Sequence, residues 1–424
     1  MRLVLLAPTF CKNMGYLENM LPRYLARAGI ETHVVAMDLP LYYWMPESKE
    51  TYASFSGQNQ AGTIEDLDGY TLHILGHKKI AGYMRMVGLR QKLSSLRPDI
   101  VQCSAVIGWI PLDAALYKPL LGYRLFSGNH YHASVFPLAN KSLPWWKIER
   151  LRCVLTRTLP GRAVSLLTEK CYAIAPDCAE VAVRFFGIPQ EKIEVCSLGV
   201  DTELFRPVST EKDRVARLEL RRRLGFAESD IVCIYTGRFG EDKNPLLLAQ
   251  SIAHLASNGQ PFRGLFVGKG TQGHAIQVCA GCMTRPFVPV QELGDYYRAA
   301  DVGVWPAQES LSMLDAAACG LPIVANDTVT AKERIEGNGL FYRLNDRENL
   351  IDVLLQLRDP QTRRRLGQFG AQKMERQFSW ERMVQRRIQD YQAALGAGRR
   401  SRENTVPKEL FERADPQLEK TVKQ

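Results

Sequence analysis

Apolar, β-branched runs alternate along the chain with segments in which apolar residues recur every three or four positions. The runs are typical of buried strands and the segments of amphipathic helices, so the pattern predicts parallel sheets flanked by helices. The predicted strands of the first half are "RLVLLAP", "THVVAM", "DIVQCS" and "YRLFSG". Those of the second half are "IVCIYTG", "RGLFVG", "RPFVPV", "VGVWP" and "PIVAN". The sequence therefore predicts an α/β protein with two doubly wound sheets.

The length of 424 residues is large for one hydrophobic core, which favours two domains. We expect an N-terminal domain over residues 1–200 and a C-terminal domain over 201–378, joined near "LGVDTELFRP". Residues 379–398 predict a helix that ends at glycines and packs back on the N-terminal domain. The remaining residues, 399–424, are polar and charged, and we expect them to be partly disordered.

The net charge of +10 favours phosphorylated ligands, anionic membranes or polyanions, and a merely basic surface is equally compatible with it. Ten scattered cysteines indicate reduced, buried thiols, and the CxxC at Cys279 and Cys282 is interpreted as structural. No apolar run is long enough for a signal sequence or a membrane span. These features predict a cytoplasmic protein.

The stretch "TGRFGEDKNP" places Arg238 and Lys243 in the turn between a predicted strand and a predicted helix. Ligands of doubly wound sheets bind at the carboxyl ends of strands, where helix N-termini carry a partial positive charge. Arg238 can offer a planar fork to two phosphate oxygens, while Lys243 supplies a point charge to a second phosphate. In the alternative interpretation, Glu241 and Asp242 simply pair with these two cations. The residues alone leave both interpretations open.

"GRFGEDKNP" resembles the segment of family 4 GT-B glycosyltransferases in which an Arg and a Lys hold the donor diphosphate. Further segments resemble the same family in the same order: "GYLENMLPRYLARAGIETHVV", "GVDTELFRP", "LGDYYRAADVGVWP" and "LDAAACGLPIVAND". The resemblance runs from about residue 1 to residue 395. It implies the GT-B fold, with two Rossmann-like domains facing each other across a cleft. It also implies metal-independent, retaining transfer from a UDP- or GDP-linked sugar, with no separate cofactor.

The same resemblance implies that Asp315 binds the ribose hydroxyls, while Glu309 and the following Ser310, Leu311 and Ser312 hold the transferred sugar. The chain departs from the family here, because Glu309 precedes Asp315 by six positions instead of eight and "SLS" replaces Gly-Phe-Gly. A capping box formed by Ser312 and Asp315 is the alternative for the carboxylate.

His130 resembles the family's histidine that faces the cleft, where it would act in catalysis beside Arg238 and Lys243. His132 is the other candidate, and a structural histidine is the alternative for both. The resemblance also implies two further donor contacts. Gly15 would let the backbone approach the donor phosphate, and Val290 and Gln291 would lie beside the base.

Two motifs point elsewhere. "GKGTQG", with Glu292 downstream, fits a dinucleotide-binding fingerprint and would suit NAD(P), but it follows the second strand of its half. A tight turn is therefore favoured. "DLD" at Asp66 to Asp68 mimics a metal-binding DxD, but no strand is predicted to lead into it, and a polar hairpin turn is favoured. We predict no metal.

Residues 142–162 combine tryptophans with basic side chains: Trp145, Trp146, Lys147, Arg150, Arg152, Arg157 and Arg162. This segment either docks on an anionic membrane or packs its tryptophans inward, and the sequence leaves both open. No nucleic-acid-binding module is evident.

The sequence thus predicts sugar transfer to a glycan or lipid-linked acceptor, in bacterial cell-surface polysaccharide or lipopolysaccharide synthesis. An NAD(P) oxidoreductase and a non-catalytic basic protein that binds membrane or nucleic acid stay open as alternatives.

Overall fold

The structure is a computed structural model that describes residues 1–43, 59–134, 136–139, 144 and 146–403. The strands are β1 (Arg2–Ala7), β2 (Glu31–Met37), β3 (Ile64–Leu67), β4 (Tyr70–Leu75), β5 (His77–Ile80), β6 (Tyr83–Met86), β7 (Ile100–Cys103), β8 (Arg124–Asn129), β9 (Thr168–Ala173), β10 (Ile193–Val195), β11 (Ile231–Thr236), β12 (Phe262–Val267), β13 (Cys282–Arg285), β14 (Val302–Trp305), β15 (Ile323–Asn326) and β16 (Gly339–Tyr342).

The α-helices are α1 (Leu17–Arg27), α2 (Leu89–Leu96), α3 (Trp109–Leu121), α4 (Ile148–Cys153), α5 (Leu159–Leu167), α6 (Pro176–Phe186), α7 (Glu211–Arg223), α8 (Pro245–Ser257), α9 (Gly273–Gln277), α10 (Val290–Ala299), α11 (Ser312–Ala318), α12 (Arg347–Gln356), α13 (Pro360–Gln377) and α14 (Trp380–Glu403). A π-helical turn (Val154–Thr158) joins α4 to α5, and 3₁₀ turns lie at Gln190–Lys192 and Lys332–Arg334. Within the described ranges, no helix is both long and apolar enough to cross a membrane.

Two large sheets organise the chain, and they confirm the predicted pair of doubly wound sheets. The first has the order β10-β9-β8-β7-β1-β2-β4-β3, in which β3 alone is antiparallel to its neighbour. The second is fully parallel, with the order β13-β12-β11-β14-β15-β16. Its first strand therefore lies in the middle and adjoins the fourth, the switch point where Rossmann-like sheets bind ligands. All six residues of β11 are buried, as expected for a strand covered on both faces.

Three hydrogen bonds between the halves show how the sheets are placed. They are Val290 N to Asn13 O (3.1 Å), Gln308 Nε2 to Ser134 Oγ (2.9 Å) and Arg334 Nη2 to Ile174 O (2.6 Å). Each partner follows the carboxyl end of a strand in its own sheet. The two sheets therefore face each other through the edges at which α/β proteins bind ligands.

The chain crosses between the halves at two places that are bonded to each other. The Val200 amide donates to the Phe378 carbonyl at 2.8 Å, and the Trp380 amide donates to the Val200 carbonyl at 3.2 Å. Gly199 permits this approach, because a Cβ there would lie 2.7 Å from the Trp380 Cα. After the second crossing, α14 packs on the first half, where the Tyr391 hydroxyl donates to Gln102.

One predicted strand is wrong. The run "RPFVPV" pairs only through its first residue, Arg285, which ends the strand Cys282–Arg285, and α10 begins at Val290. Proline has no amide to donate to a neighbouring strand, and Pro286 and Pro289 interrupt the run. The apolar composition is that of a strand, but the backbone donors needed for pairing are missing.

Two further expectations need correction. A strand does lead into "DLD", contrary to expectation: β3 and β4 form a hairpin whose turn holds Asp68 and Gly69 at positive φ. The predicted hairpin turn is confirmed. The terminal helix does not end at its glycines, because α14 continues past Gly398 to Glu403. Residues 404–424, part of the segment expected to be disordered, lie outside the described ranges.

Candidate functional site

The turn between β11 and α8 holds the two predicted phosphate-binding cations. Arg238 Nη2 donates to Asp242 Oδ2 at 2.5 Å, so local pairing does occur for the arginine. Lys243 Nζ instead donates to the main-chain carbonyl of Glu309 at 2.9 Å. Because Glu309 follows β14, this bond joins the two turns at the switch point of the second sheet.

Lys243 lies half-buried in an environment that disfavours its charge. Burial lowers its pKa to about 8, against the negative charges of Asp242 and Glu309, and the positive charge of Arg238 lowers it further. An anion bound at this turn would offset the burial and the repulsion from Arg238 that disfavour the charge of Lys243.

The shape of this turn depends on the glycines of "GKGTQG". A Cβ on Gly268 would overlap the carbonyl oxygen of Gly237, and a Cβ on Gly270 would lie 2.7 Å from the carbonyl oxygen of Phe239. The Phe239 amide donates to the Lys269 carbonyl at 3.0 Å. The motif therefore forms a tight turn between β12 and α9, as predicted, and it supports the backbone that carries Arg238.

Glu309 is held by the segment that follows β15. Its Oε1 accepts from the Thr330 amide, from Thr330 Oγ1 at 2.9 Å and from the Ala331 amide at 3.1 Å. Its Oε2 is buried, lies 3.8 Å from Arg334 Nη1 and has no hydrogen-bond donor among the described residues. One carboxylate oxygen thus fixes the side chain, and the other can accept a hydrogen bond from a ligand.

Arg334 was not predicted from the sequence. Its side chain is 3% exposed and bonds to the Ile174 carbonyl of the opposite half while facing Glu309. Neither contact is local in sequence, and no motif surrounds the residue, so no sequence signal could have identified it.

The "SLS" segment that replaces the family's glycines is bonded to β11. Ser310 Oγ and Ser312 Oγ lie 2.6 Å apart, and Ser312 Oγ donates to the Thr236 carbonyl at 3.4 Å. Leu311 packs against the cores of both halves. The leucine therefore lies at the boundary between the halves, at the position where the family has phenylalanine.

Asp315 lies in the first turn of α11 and does not form a capping box with Ser312. The helix begins at Ser312, its N-cap is Leu311, and no side chain caps it. Burial, with a contribution from the negative charge of Asp201, raises the pKa of Asp315 to about 8. A half-buried carboxyl group of this kind gains most from hydroxyl donors supplied by a ligand.

The two candidate histidines have different environments. His132 Nδ1 lies 3.1 Å from both carboxylate oxygens of Asp177. Burial opposes ionisation of Asp177, but the hydrogen bonds from His132 and the Ala133 amide outweigh it and lower its pKa to about 2. Burial, aided by the positive charge of Arg387, lowers the pKa of His130 to about 4. His130 is therefore neutral at physiological pH, and His132 is engaged by Asp177.

One group in the described ranges could hold a metal: His132, Asp177 and Cys178 offer ligand atoms within 4.8 Å of one another. Burial and the charge of Asp177 raise the pKa of the Cys178 thiol. Because metals bind thiolates, this protonated thiol fits the group poorly. Metal independence stays a prediction.

Gly15 and Val290 meet at the contact between the halves. A Cβ on Gly15 would lie 3.1 Å from Val290 Cγ2, closer than an ordinary contact. The Val290 amide already donates to Asn13, so a nucleotide base would have to displace that bond to use it. Gln291 follows in the first turn of α10.

Comparisons with known proteins agree with this architecture. A family profile described as "Glycosyl transferases group 1" matches residues 230–359, and one described as "Glycosyltransferase Family 4" matches residues 20–204. A D-inositol 3-phosphate glycosyltransferase of Geodermatophilus obscurus is 30% identical over 274 residues, 60% of this chain and 59% of the relative. The chain spans less than two thirds of the length of the first curated relatives that it matches.

Solved structures share the fold at low sequence identity. Sucrose-phosphate synthase of Thermosynechococcus elongatus has a TM-score of 0.68 and 15% identity, covering 93% of this chain and 99% of that chain. HepE of Anabaena in complex with UDP has a TM-score of 0.67 and 14% identity, covering 93% and 100%. Because family profiles match both halves and these structures share the fold, the chain belongs to the group 1, family 4 glycosyltransferases of the GT-B fold.

Proposed function

We propose that the protein is a retaining glycosyltransferase that moves a sugar from a nucleotide-diphospho-sugar to a glycan or lipid-linked acceptor. The observation that carries the proposal is the pair of Arg238 and Lys243 at the switch point of the second sheet. Burial and repulsion from Arg238 destabilise the charged form of the lysine, so a bound anion would stabilise it. A diphosphate is such an anion, and the partial positive charge at the start of α8 adds to its binding.

The donor diphosphate would replace Asp242 as the partner of Arg238. Asp242 is 39% exposed, so water can solvate it once the arginine turns to phosphate. A charge-assisted hydrogen bond from each cation contributes about 1.5–3 kcal/mol. In the reaction the two cations neutralise the charge that grows on the departing diphosphate, which is electrostatic stabilisation of the leaving group.

The rest of the donor would be held by the turn after β14 and by α11. Asp315 accepts hydrogen bonds from the ribose hydroxyls, and Oε2 of Glu309, which has no hydrogen-bond donor among the described residues, accepts one from the transferred sugar. The amides of Ser310 to Ser312 border the sugar. Neutral His130 hydrogen-bonds the sugar without repelling the positive charge that develops at the anomeric carbon.

Retention of configuration is proposed from family membership. The bond from the anomeric carbon to the diphosphate oxygen breaks through an oxocarbenium-like transition state, and a bond to the acceptor oxygen forms on the same face. The proton of the acceptor hydroxyl passes to the leaving phosphate, so the chain supplies charge and position rather than a nucleophile.

The finer assignments are also proposals. Residues 201–378 would bind the donor and residues 1–200 the acceptor, with residues 379–398 returning to the first half. UDP is the first nucleotide to test because the similar HepE structure contains it. The acceptor would belong to bacterial cell-surface polysaccharide or lipopolysaccharide synthesis on the cytoplasmic side.

A thermal-shift panel tests the donor proposal, because a ligand that binds the native state raises the melting temperature. UDP-, GDP-, ADP- and TDP-glucose are compared with NADH, using the parent protein, Arg238→Ala, Lys243→Ala and the exposed control Lys212→Ala. We expect at least one sugar nucleotide to stabilise the parent and the control but neither site variant. Stabilisation by NADH alone, or site variants that respond like the parent, would contradict the proposal.

A further inference from the structure

The helical segment Ile148–Leu167 exposes apolar side chains to solvent instead of burying them. Its outward residues recur at intervals of three, four or seven positions, which places them on one helix face. Ile148, Leu151, Leu155, Leu159 and Leu166 are each more than half exposed. Trp146, just before the helix, is 66% exposed, whereas Trp145 lies outside the described ranges.

The neighbouring helix also exposes apolar side chains. Helix α3 packs against α5, and the Lys118 ammonium group bonds to the Leu167 carbonyl at 2.5 Å. Leu116 and Leu120, one turn apart on α3, are 57% and 65% exposed. We call these exposed residues of α3 and of the segment Trp146–Leu166 the apolar face. Exposed apolar residues that share one helix face, as those of Ile148–Leu166 do, indicate a site of interaction.

Basic side chains accompany the apolar face. Lys147, Arg150, Arg152 and Arg162 are exposed, and Glu149 is the sole acidic residue between positions 144 and 167. A second copy of the chain would bring two such positive surfaces together, which disfavours self-association through this face. A nucleic acid would use the cations but would leave the leucines in water.

Packing on the inner side prevents the segment from turning its apolar face inward. The Arg157 guanidinium stacks over the Phe136 ring at 5.0 Å and its Nε donates to the Tyr83 hydroxyl at 3.4 Å. A Cβ on Gly161 would overlap the carbonyl oxygen of Phe186, so the helix touches α6 backbone to backbone. The outward orientation of the leucines is thus fixed by the packing beneath them.

We propose that the apolar face docks on a bilayer that contains anionic lipid, with the segment Ile148–Leu167 lying in the plane of the headgroups. The leucines enter the boundary of the acyl chains, while the arginines and Lys147 contact lipid phosphates. Phe136, which Arg157 contacts, belongs to the loop that carries His130. Docking would therefore bring the proposed acceptor side of the site close to lipid headgroups.

Vesicle co-sedimentation of the full chain tests the proposal, using phosphatidylcholine vesicles with and without 30% phosphatidylglycerol. The test variants are Leu151→Ser with Leu155→Ser, and Arg152→Gln with Arg162→Gln. Helix α7 offers matched controls, because it is also basic and exposes apolar residues: Val215→Ser with Leu218→Ser, and Arg222→Gln with Arg223→Gln. All substituted residues are exposed, so unchanged thermal melting confirms that each variant folds.

We expect the parent to bind the anionic vesicles and both test variants to bind at least tenfold more weakly, with about thirtyfold for the loss of two arginines. The α7 controls should bind like the parent. No binding of the parent to anionic vesicles would overturn the proposal. Equal losses in the controls would also overturn it, since binding would then reflect only the overall positive charge. A parent dimer that the leucine variant dissociates would assign the face to self-association instead.

Discussion

Replacing Lys243 by Met should stabilise the free protein and weaken donor binding, two effects of opposite sign from one substitution. Methionine keeps an apolar stem of similar length but removes the ammonium group. In the native state that group is half-buried beside Arg238 and bonded to a single carbonyl oxygen.

The pKa of Lys243 gives the size of the first effect. A fall from 10.5 to about 8 corresponds to about 3 kcal/mol, and the whole penalty acts below pH 8, where the lysine is protonated in both the folded and the unfolded chain. The penalty shrinks as the pH rises from 8 to 10.5, because the folded state then releases its proton first. Solvent screening and the lost bond to the Glu309 carbonyl, worth about 1 kcal/mol, leave a net gain of about 1–2 kcal/mol at pH 7.

The loss of one charge-assisted bond to phosphate sets the size of the second effect. At about 1.5–3 kcal/mol, it weakens the binding of UDP-glucose by about 10- to 150-fold. Differential scanning fluorimetry at pH 7, with and without UDP-glucose, measures both effects. The free variant should melt about 2–8 °C above the parent and show a much smaller shift with ligand. Lys212→Met, on the exposed surface of α7, is the control and should change neither value.

Two outcomes would refute this reasoning, and they refute different parts of it. A free variant that melts below the parent would show that the lysine is not under electrostatic strain. A variant that keeps the parent's ligand shift would show that the diphosphate lies elsewhere, and the proposed donor site would then be wrong.

Three further substitutions test the surrounding residues. Gly268→Ala should lower the free energy of unfolding, measured by urea denaturation, by about 3 kcal/mol or more and remove the UDP-glucose shift, because its methyl group overlaps a carbonyl oxygen. In the control Gly273→Ala the methyl group meets only a ring at 3.6 Å, so the free energy of unfolding should change by less than about 0.5 kcal/mol. Equal losses of stability in the two variants would contradict the packing argument. The affinity for UDP-glucose, measured by titration calorimetry, should be highest near pH 8. At lower pH, Asp315 is protonated and accepts hydroxyl donors less well, so binding weakens. At higher pH, Lys243 loses its proton and with it the charge that binds phosphate, so binding weakens again. Asp315→Asn should remove the acid side of this profile alone, and a flat profile in the parent would refute both assignments. Glu309→Gln keeps the oxygen that accepts from the Thr330 segment, so binding of UDP should be unchanged while that of UDP-glucose falls about tenfold; equal weakening of both would place this side chain away from the sugar.

The two sheets and the cationic turn could be predicted from the sequence because both depend on the order of apolar and polar residues within short segments of the chain. A strand buried on both faces, such as β11, reads as an uninterrupted apolar run, and a βα turn must follow it. Local pattern also has limits. "RPFVPV" has the composition of a strand, but whether it pairs depends on backbone amides that its prolines do not have.

The rest of the candidate site depends on contacts between distant parts of the chain. The Arg334 side chain is positioned by its hydrogen bond to the carbonyl group of Ile174, 160 residues earlier in the chain. The residues adjacent to Arg334 in sequence do not predict that contact. The glycines of "GKGTQG" satisfy a nucleotide-binding pattern and a packing requirement equally well in sequence. Only the position of Gly237 against Gly268 distinguishes the two uses.

The paired crossings at Val200 and Trp380 determine how the two halves can separate. Sliding one half past the other would break the main-chain bonds between the crossings, whereas rotation about them as a pivot keeps those bonds intact. Rotation would instead break hydrogen bonds between the facing edges of the two sheets, such as those of Arg334 with Ile174 and of Val290 with Asn13, at about 1–3 kcal/mol for each hydrogen bond. The paired crossings therefore favour hinge rotation over sliding, and the proposed donor and product would pass through the gap that such a rotation opens.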